Sequence, residues 1–283
     1  MTRGSSAAEV ESVGVREVWS VARRYAPDHY LSLLLAPAQA RADLVALAAF
    51  VGDVDRIVLW VTEAELAEIR LQWWRDTLAA RAADPTSRSG SPLADAVGEV
   101  MVRRGIPVAL YQRHLDARSH DLYADPLLDE AALEAQLAAD TGSVFEMAHR
   151  ICGGDGPATA ETETLLAQAA VVYGSARLVA RAAVALARGR SPFPGAVPET
   201  DPALRAMLAA RTGEIRERAA ALRDIWRTAS RPARAACLPT SLAEPYLRAS
   251  EQVQHDPRRL IADLGPLERV WWLWRAHAFG RLV

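Results

Sequence analysis

The chain has 283 residues, 51% hydrophobic and 24% charged, with a formal net charge of −2. A chain of this length buries roughly three quarters of its unfolded surface, and the near-neutral balance excludes the concentrated basic surface that a nucleic-acid partner needs. Two cysteines, Cys152 and Cys237, fit a reducing compartment and not a disulfide framework. No apolar run reaches the roughly 18 residues of a membrane-spanning helix. The first residues, with Glu9 and Glu11, lack the apolar region of a signal peptide. The expectation is a cytoplasmic protein.

Ala, Leu and Arg dominate, and every basic residue is Arg; that balance favours helix. The 3-to-4 periodicity of apolar residues predicts about eleven helices, at 8–24, 28–36, 39–59, 63–82, 92–104, 107–121, 129–152, 160–188, 203–229, 242–252 and 266–280. Gly, Pro and Ser clusters mark the joints, at residues 84–92, 153–157 and 189–202. No segment alternates long enough for a strand, no loop is long enough for a domain linker, and no repeat is present. The prediction is one all-α domain over residues 1–283.

Three of these helices carry informative residues. In 39–59, Leu44, Leu47, Val51, Val54 and Val58 form one stripe, and Asp55, one turn beyond Val51, flanks it while Asp53 points elsewhere. A carboxylate at a core-facing edge needs a partner or a metal; the ordinary reading is a partly exposed aspartate bridged to an arginine of another helix. In 63–82, Leu66, Ile69 and Trp73 lie on one side, and Leu71, Trp74 and Leu78 on another. That two-sided pattern predicts an interior helix. Its Arg70 and Arg75 would then need buried partners, with Asp55 as a candidate. In 266–280, Leu267, Val270, Trp271, Trp274 and Ala278 form a stripe expected in the core, leaving Trp272 as the most exposed tryptophan, beside Arg275 and Phe279. Exposed Trp with Arg suits a membrane interface or a protein partner.

Several site types can be set aside. There is no phosphate-cradling glycine loop and no nucleophile-elbow serine. Glu146 and His149 are a lone Glu-x-x-His pair, read as a surface or capping pair, because a di-iron bundle needs a second pair and two more glutamates. His149 and Cys152 are two ligands where zinc takes three or four. No metal ligand is assigned.

Taken together, the segments 30–37, with Arg41 and the run 44–50, the tryptophan-bearing 68–78, Ala117–Tyr123, Leu137–Val144 and Gly189–Pro194 resemble the squalene/phytoene synthases over residues 19–281. The resemblance implies the isoprenoid-synthase fold, a helical bundle around a central cavity. It implies substrate-binding roles for Tyr30, Arg41, Arg70, Arg75, Asp121 and Arg190. Residues 68–76 are similar to a branch of bacterial proteins related to a mitochondrial complex I assembly factor, whose members generally lack the full catalytic set. In the family, two aspartate-rich helices hold magnesium ions bound to diphosphate. Here Asp55 matches the first position of the first Asp-Asp-x-x-Asp motif, Arg56 and Leu59 replace the others, and Gly52 replaces the family's preceding arginine. The second motif should lie before Gly189, yet no Asp or Glu occurs between Glu163 and Glu199. The helix there should present Ala, Val or Arg to Asp55. The expected function is therefore a non-catalytic or repurposed binding or assembly protein, peripheral to a membrane, with no cofactor. The alternatives are a magnesium-dependent prenyltransferase joining two prenyl diphosphates head to head, and a carrier of a prenyl lipid.

Overall fold

A computed structural model describes residues 7–61, 63–123, 125–153 and 158–282, without the side chains of 7–13. The expected joint at 153–157 lies outside the described residues from 154 onward. Fourteen α-helices and no strand occur among the described residues, so the all-α prediction holds. The first six are α1 (Ala7–Tyr25), α2 (Pro27–Leu33), α3 (Arg41–Trp60), α4 (Ala64–Ala83), α5 (Pro92–Arg103) and α6 (Val108–His120). Next come α7 (Glu130–Leu137), α8 (Ser143–Ile151), α9 (Ala160–Ala180) and α10 (Ala182–Ala187). The last four are α11 (Asp201–Thr228), α12 (Arg231–Ala236), α13 (Ala243–Val253) and α14 (Pro266–Phe279).

Local chemistry starts and stops these helices. Ser91, Asp129, Thr159, Thr200 and Ser230 each accept a backbone N–H of the first turn with the side chain, which satisfies donors that the helix itself leaves free. Proline follows the cap in α5, α11 and α12, where its fixed φ suits the first turn. Gly189, just beyond α10, has φ +72°, the left-handed residue that closes a helix C-terminus.

The centre of the bundle is α3. Its stripe of Leu44, Leu47, Val51, Val54 and Val58 is buried throughout, contributing roughly 2 kcal/mol per side chain against exposure. Helices α1, α4, α5, α6 and α8 pack around it. At Gly52 an added Cβ would lie 3.0 Å from Cβ of Tyr25 and 3.3 Å from the backbone nitrogen of Ala26. The close approach of α1 to α3 therefore depends on a missing side chain, and the family's arginine has no room at this position. The second hub, α9, is packed by α11, α13 and the turn Ala138–Gly142.

Two expected helices are interrupted. Residues 138–142 form a π-helical turn between α7 and α8, and Arg181 (φ −111°, ψ 20°) breaks α9 from α10. A further short helix, α12, precedes the 3-10 turn Leu238–Leu242.

Two faces differ from expectation. In α4, Leu71, Trp74 and Leu78 are buried, but Leu66, Ile69 and Trp73 are 51%, 65% and 41% exposed. This helix therefore lies at the surface and does not run through the interior. In α14 the assignment is reversed: Trp272 is buried, and Trp271 and Trp274 are exposed. The cause is Arg269, which points inward to Asp28 of α2, with Nε 2.7 Å from Oδ1. Asp28 also accepts the hydroxyls of Tyr173 (2.6 Å) and Tyr246 (2.8 Å). Charge and hydrogen bonding outweigh burial and hold its carboxyl below the usual pKa.

The exchange of faces is testable by thermal melting. Trp272 packs under the guanidinium groups of Arg248 and Arg275, and Trp272→Ala should cost about 3–5 kcal/mol. Trp271→Ala, at an exposed position, should stay within about 0.5 kcal/mol of the parent.

Candidate functional site

Asp55 of α3 is buried, at 6% exposure. Three guanidinium groups surround it: Arg177 at 2.9 Å, Arg118 at 3.2 Å and Arg181 at 3.6 Å. Arg118 comes from α6, Arg177 from the last turn of α9, and Arg181 from the break that follows. Burial raises the pKa of Asp55, but the three arginines together hold it well below the usual carboxylate range. The expected arginine bridge is thus present, threefold and buried. Asp53 faces another way, accepting the indole N–H of Trp74 at 3.0 Å and pairing with Arg56.

Above this cluster is a cavity of about 100 Å³ lined by residues of α3, α6, α7, α9 and α10, the π-helical turn and the segment after Gly189. At the ~30 Å³ that a water takes up in the liquid it has room for about three waters, the scale of a phosphate group. Five arginines line it, Arg118, Arg177, Arg181, Arg188 and Arg190, against two aspartates, Asp121 and Asp140. Asp55 is not on the wall; the arginines that grip it are. Even counting Asp55, the cluster keeps two positive charges in excess. Val58, Leu59, Leu133, Leu137 and Leu178 supply the apolar wall.

Local structure explains how these groups converge. The left-handed turn at Gly189 brings Arg188 and Arg190 to one residue. Arg190 binds the Asp121 carboxylate at 2.9 Å, and Arg188 donates to its backbone oxygen at 3.2 Å. Arg118 pairs with Asp121 as well as Asp55. The π-helical turn carries Asp140, whose carboxylate lies 3.0 Å from Nδ1 of His114. Gly174 of α9 permits the turn's approach: an added Cβ would meet Leu137 at 2.6 Å and the Thr141 hydroxyl at 3.3 Å. Three guanidinium donors, Nε of Arg118, Arg177 and Arg190, are buried with no acceptor among the described residues.

Of the residues singled out from sequence, Asp121 and Arg190 line the cavity and pair with each other. Tyr30, Arg41, Arg70 and Arg75 do not line it. Tyr30 meets Trp19 edge to face. Arg41 donates to Ala36 O at 3.0 Å and lines a separate groove. Arg70 is exposed, and Arg75 pairs with Glu68 and Asp116, so neither is Asp55's partner. His149 is buried, not a surface residue, and burial lowers its pKa; Glu146 turns to Arg113 and Arg150. Sequence reasoning named none of Asp55's three partners: it missed Arg118, and from the helix before Gly189 it expected Ala, Val or Arg without singling out Arg177 and Arg181. Their spacing of four within the acid-free stretch was the available signal, since it puts two cations on one helix face.

The donor set does not fit the magnesium that the family resemblance implies. A hard divalent cation needs several oxygen ligands, carboxylates foremost. Asp55 is enclosed by arginines, and α9 presents Arg177 and Arg181 to it. Among the described residues no group of three His, Cys, Asp or Glu side chains stands close enough to hold a metal.

The cage makes Asp55 a structural necessity. Asp55→Ala leaves three half-buried cations without their shared buried carboxylate and should cost about 3–5 kcal/mol in denaturant unfolding, as removal of one partner of a buried pair does. The depressed pKa also sets a sign. Asp55 contributes stability above the unfolded carboxylate pKa of about 3.9, and that contribution is lost as pH falls through the lower folded value. Acid unfolding of the parent below about pH 4 should therefore be steeper than that of Asp55→Asn.

Two solved structures share this architecture. The squalene synthase HpnC from Alicyclobacillus acidocaldarius aligns over 86% of this chain and 96% of its own, at 18% identity and a TM-score of 0.64. A dehydrosqualene synthase in complex with ligand aligns over 96% of this chain and 98% of its own, at 12% identity and a TM-score of 0.71. At such identities the likeness shows the isoprenoid-synthase fold. No curated protein sequence matches the chain. The family model for squalene/phytoene synthases matches residues 22–265, and the chain belongs to that family.

Proposed function

We propose that this protein is a repurposed, non-catalytic member of its family, whose central cavity binds an anionic ligand with an apolar tail, of the prenyl phosphate class, directly through arginines. The observation that carries this reading is the exchange of acids for arginines around Asp55. An arginine fork recognises phosphate oxygens without an intervening ion, and the three buried Nε–H groups lacking acceptors are donors that such a ligand could satisfy after a small shift. Catalysis is a different demand. Departure of an allylic diphosphate rests on charge neutralisation worth several kcal/mol, which a metal supplies in the transition state. Arginines already committed to Asp55 and Asp121 supply less of it. A role as a binding or assembly factor also agrees with the similarity of residues 68–76 to bacterial relatives of a complex I assembly factor.

The alternative is a working synthase, favoured by the family and by the named activities of the two structural neighbours. Titration calorimetry with farnesyl and geranylgeranyl diphosphate in a chelator, followed by a pyrophosphate-release assay with added magnesium, separates the two. The expected result is binding in the chelator, no magnesium-dependent release, and an affinity lowered at least about tenfold in Arg181→Gln, the scale of one charged hydrogen bond. Sustained pyrophosphate release with magnesium would establish the synthase instead. Absence of binding in the chelator would sink the metal-free receptor.

A further inference from the structure

The outward face of α14 is apolar. Leu267, Trp271 and Trp274 are 86%, 56% and 43% exposed, and Phe279 is 63% exposed. The Trp271 and Trp274 rings lie 5.5 Å apart, and Phe279 meets Trp274 edge to face at 5.9 Å, so the aromatics form a continuous ladder. At its C-terminal end the ladder runs into a groove between the loop after α2, the end of α14 and α12. Leu35, Trp226, Leu238 and Phe279 give the groove an apolar floor. Its charged or ionisable side chains among the described residues are all basic, Arg41, Arg231, Arg234 and His277, with no carboxylate among them. Trp226 is 1% exposed, and its indole N–H has no acceptor among the described residues.

We propose that this face seats the protein on an anionic lipid surface, with the aromatic ladder entering the acyl-chain boundary and the groove taking one phosphate headgroup. Charge complementarity selects the occupant. A helix face of Trp, Phe and Leu with arginines beside it lies in a lipid interface, its apolar side in the acyl boundary and its cations at the headgroups. A phosphate or ester oxygen in the groove would meet Arg231 and Arg234. Area argues against a second copy. With 14 residues, α14 is about 21 Å long, and a face about 10 Å wide covers roughly 200 Å², a quarter of the ~800 Å² per partner of a stable interface. Lipid insertion has no such threshold, because each side chain partitions separately. The inference is independent of what the central cavity binds.

Sedimentation with phosphatidylcholine vesicles, with and without phosphatidylglycerol, tests it. The full chain should pellet with the anionic vesicles, with a blue shift of tryptophan emission, and less with the neutral ones. The double variant Trp271→Ser, Trp274→Ser should lower the partition coefficient about a hundredfold with an unchanged melting curve, since both rings are exposed. Arg231→Gln and Arg234→Gln should each lower it about fivefold on anionic vesicles and weaken its salt dependence. Three outcomes would overturn the proposal: no binding to anionic vesicles, equal binding by the double tryptophan variant, or a monomer–dimer equilibrium in sedimentation velocity that the double variant abolishes. The last would assign the face to a second copy of the chain.

Discussion

A carboxylate in the middle of a helical bundle cannot stay ionised unless cations come to it, and much of this molecule is arranged around that demand at Asp55. Desolvating a carboxylate costs several kcal/mol even after relaxation, so three helical segments converge to bring Arg118, Arg177 and Arg181 within 3.6 Å. The demand propagates. Arg118 is shared with Asp121, and Asp121 draws in Arg190 and Arg188 from beyond α10. A second buried carboxylate, Asp28, collects Arg269, Tyr173 and Tyr246. Helix α9 joins the two clusters: Tyr173 belongs to one and Arg177 to the other, and the Arg177 guanidinium lies 5.6 Å from the Tyr173 ring centre. Helices α2, α3, α6, α13 and α14 are thereby linked through α9 by charge and hydrogen bonding as well as by packing.

The same arrangement determines what the cavity can hold. A carboxylate that faces open space attracts a cation, while one sheathed in guanidinium groups presents the opposite sign. Here Asp55 is withdrawn from the wall, and its arginines form the wall. The cavity wall thus carries cations where the resemblance leads one to expect acids. Placing magnesium there would require separating Asp55 from all three partners, and it would put a divalent charge beside an excess of positive charge. Low local dielectric magnifies both penalties.

What the sequence disclosed and what it withheld divide along physical lines. The stripe of α3 was legible because one face of a central helix is covered wherever it goes, and Asp55 stood at its edge. Of the residues that the resemblance named, Asp121 and Arg190 meet at the cavity wall, brought together by the chain turn at Gly189. Tyr30, Arg41, Arg70 and Arg75, which it also named, lie away from that cavity; periodicity gives the angle of a side chain about its own helix and not the neighbour that meets it. The same ignorance produced the error in α4, where two apolar stripes are present and only Leu71, Trp74 and Leu78 are covered. The π-helical turn at 138–142 was hidden for another reason: one extra residue per turn is small against a periodic signal, although it carries Asp140 to His114.

Helix α14 shows how a single ion pair can overrule hydrophobicity. By periodicity alone, Leu267, Trp271 and Trp274 form the better core stripe. Once Arg269 is drawn inward by Asp28, the rotation of the helix is fixed, because each residue turns by ~100°. Trp271 then lies about 200° from Arg269 and Trp274 about 140°, both on the far side. Trp272, Leu273 and Ala276 fall on the near side and are buried with it, so the helix still seals the core. The buried pair is further satisfied by Tyr246, and Arg269 also donates to the Leu264 backbone oxygen, which leaves few polar groups unpaired. The apolar ladder on the outside is therefore a direct geometric consequence of a charge on the inside. A protein that lost Asp28 could in principle rotate α14 to bury its tryptophans, but it would then expose Trp272 and leave the hydroxyls of Tyr173 and Tyr246 without their common acceptor. The pair, the two tyrosines and the outward tryptophans stand or fall together.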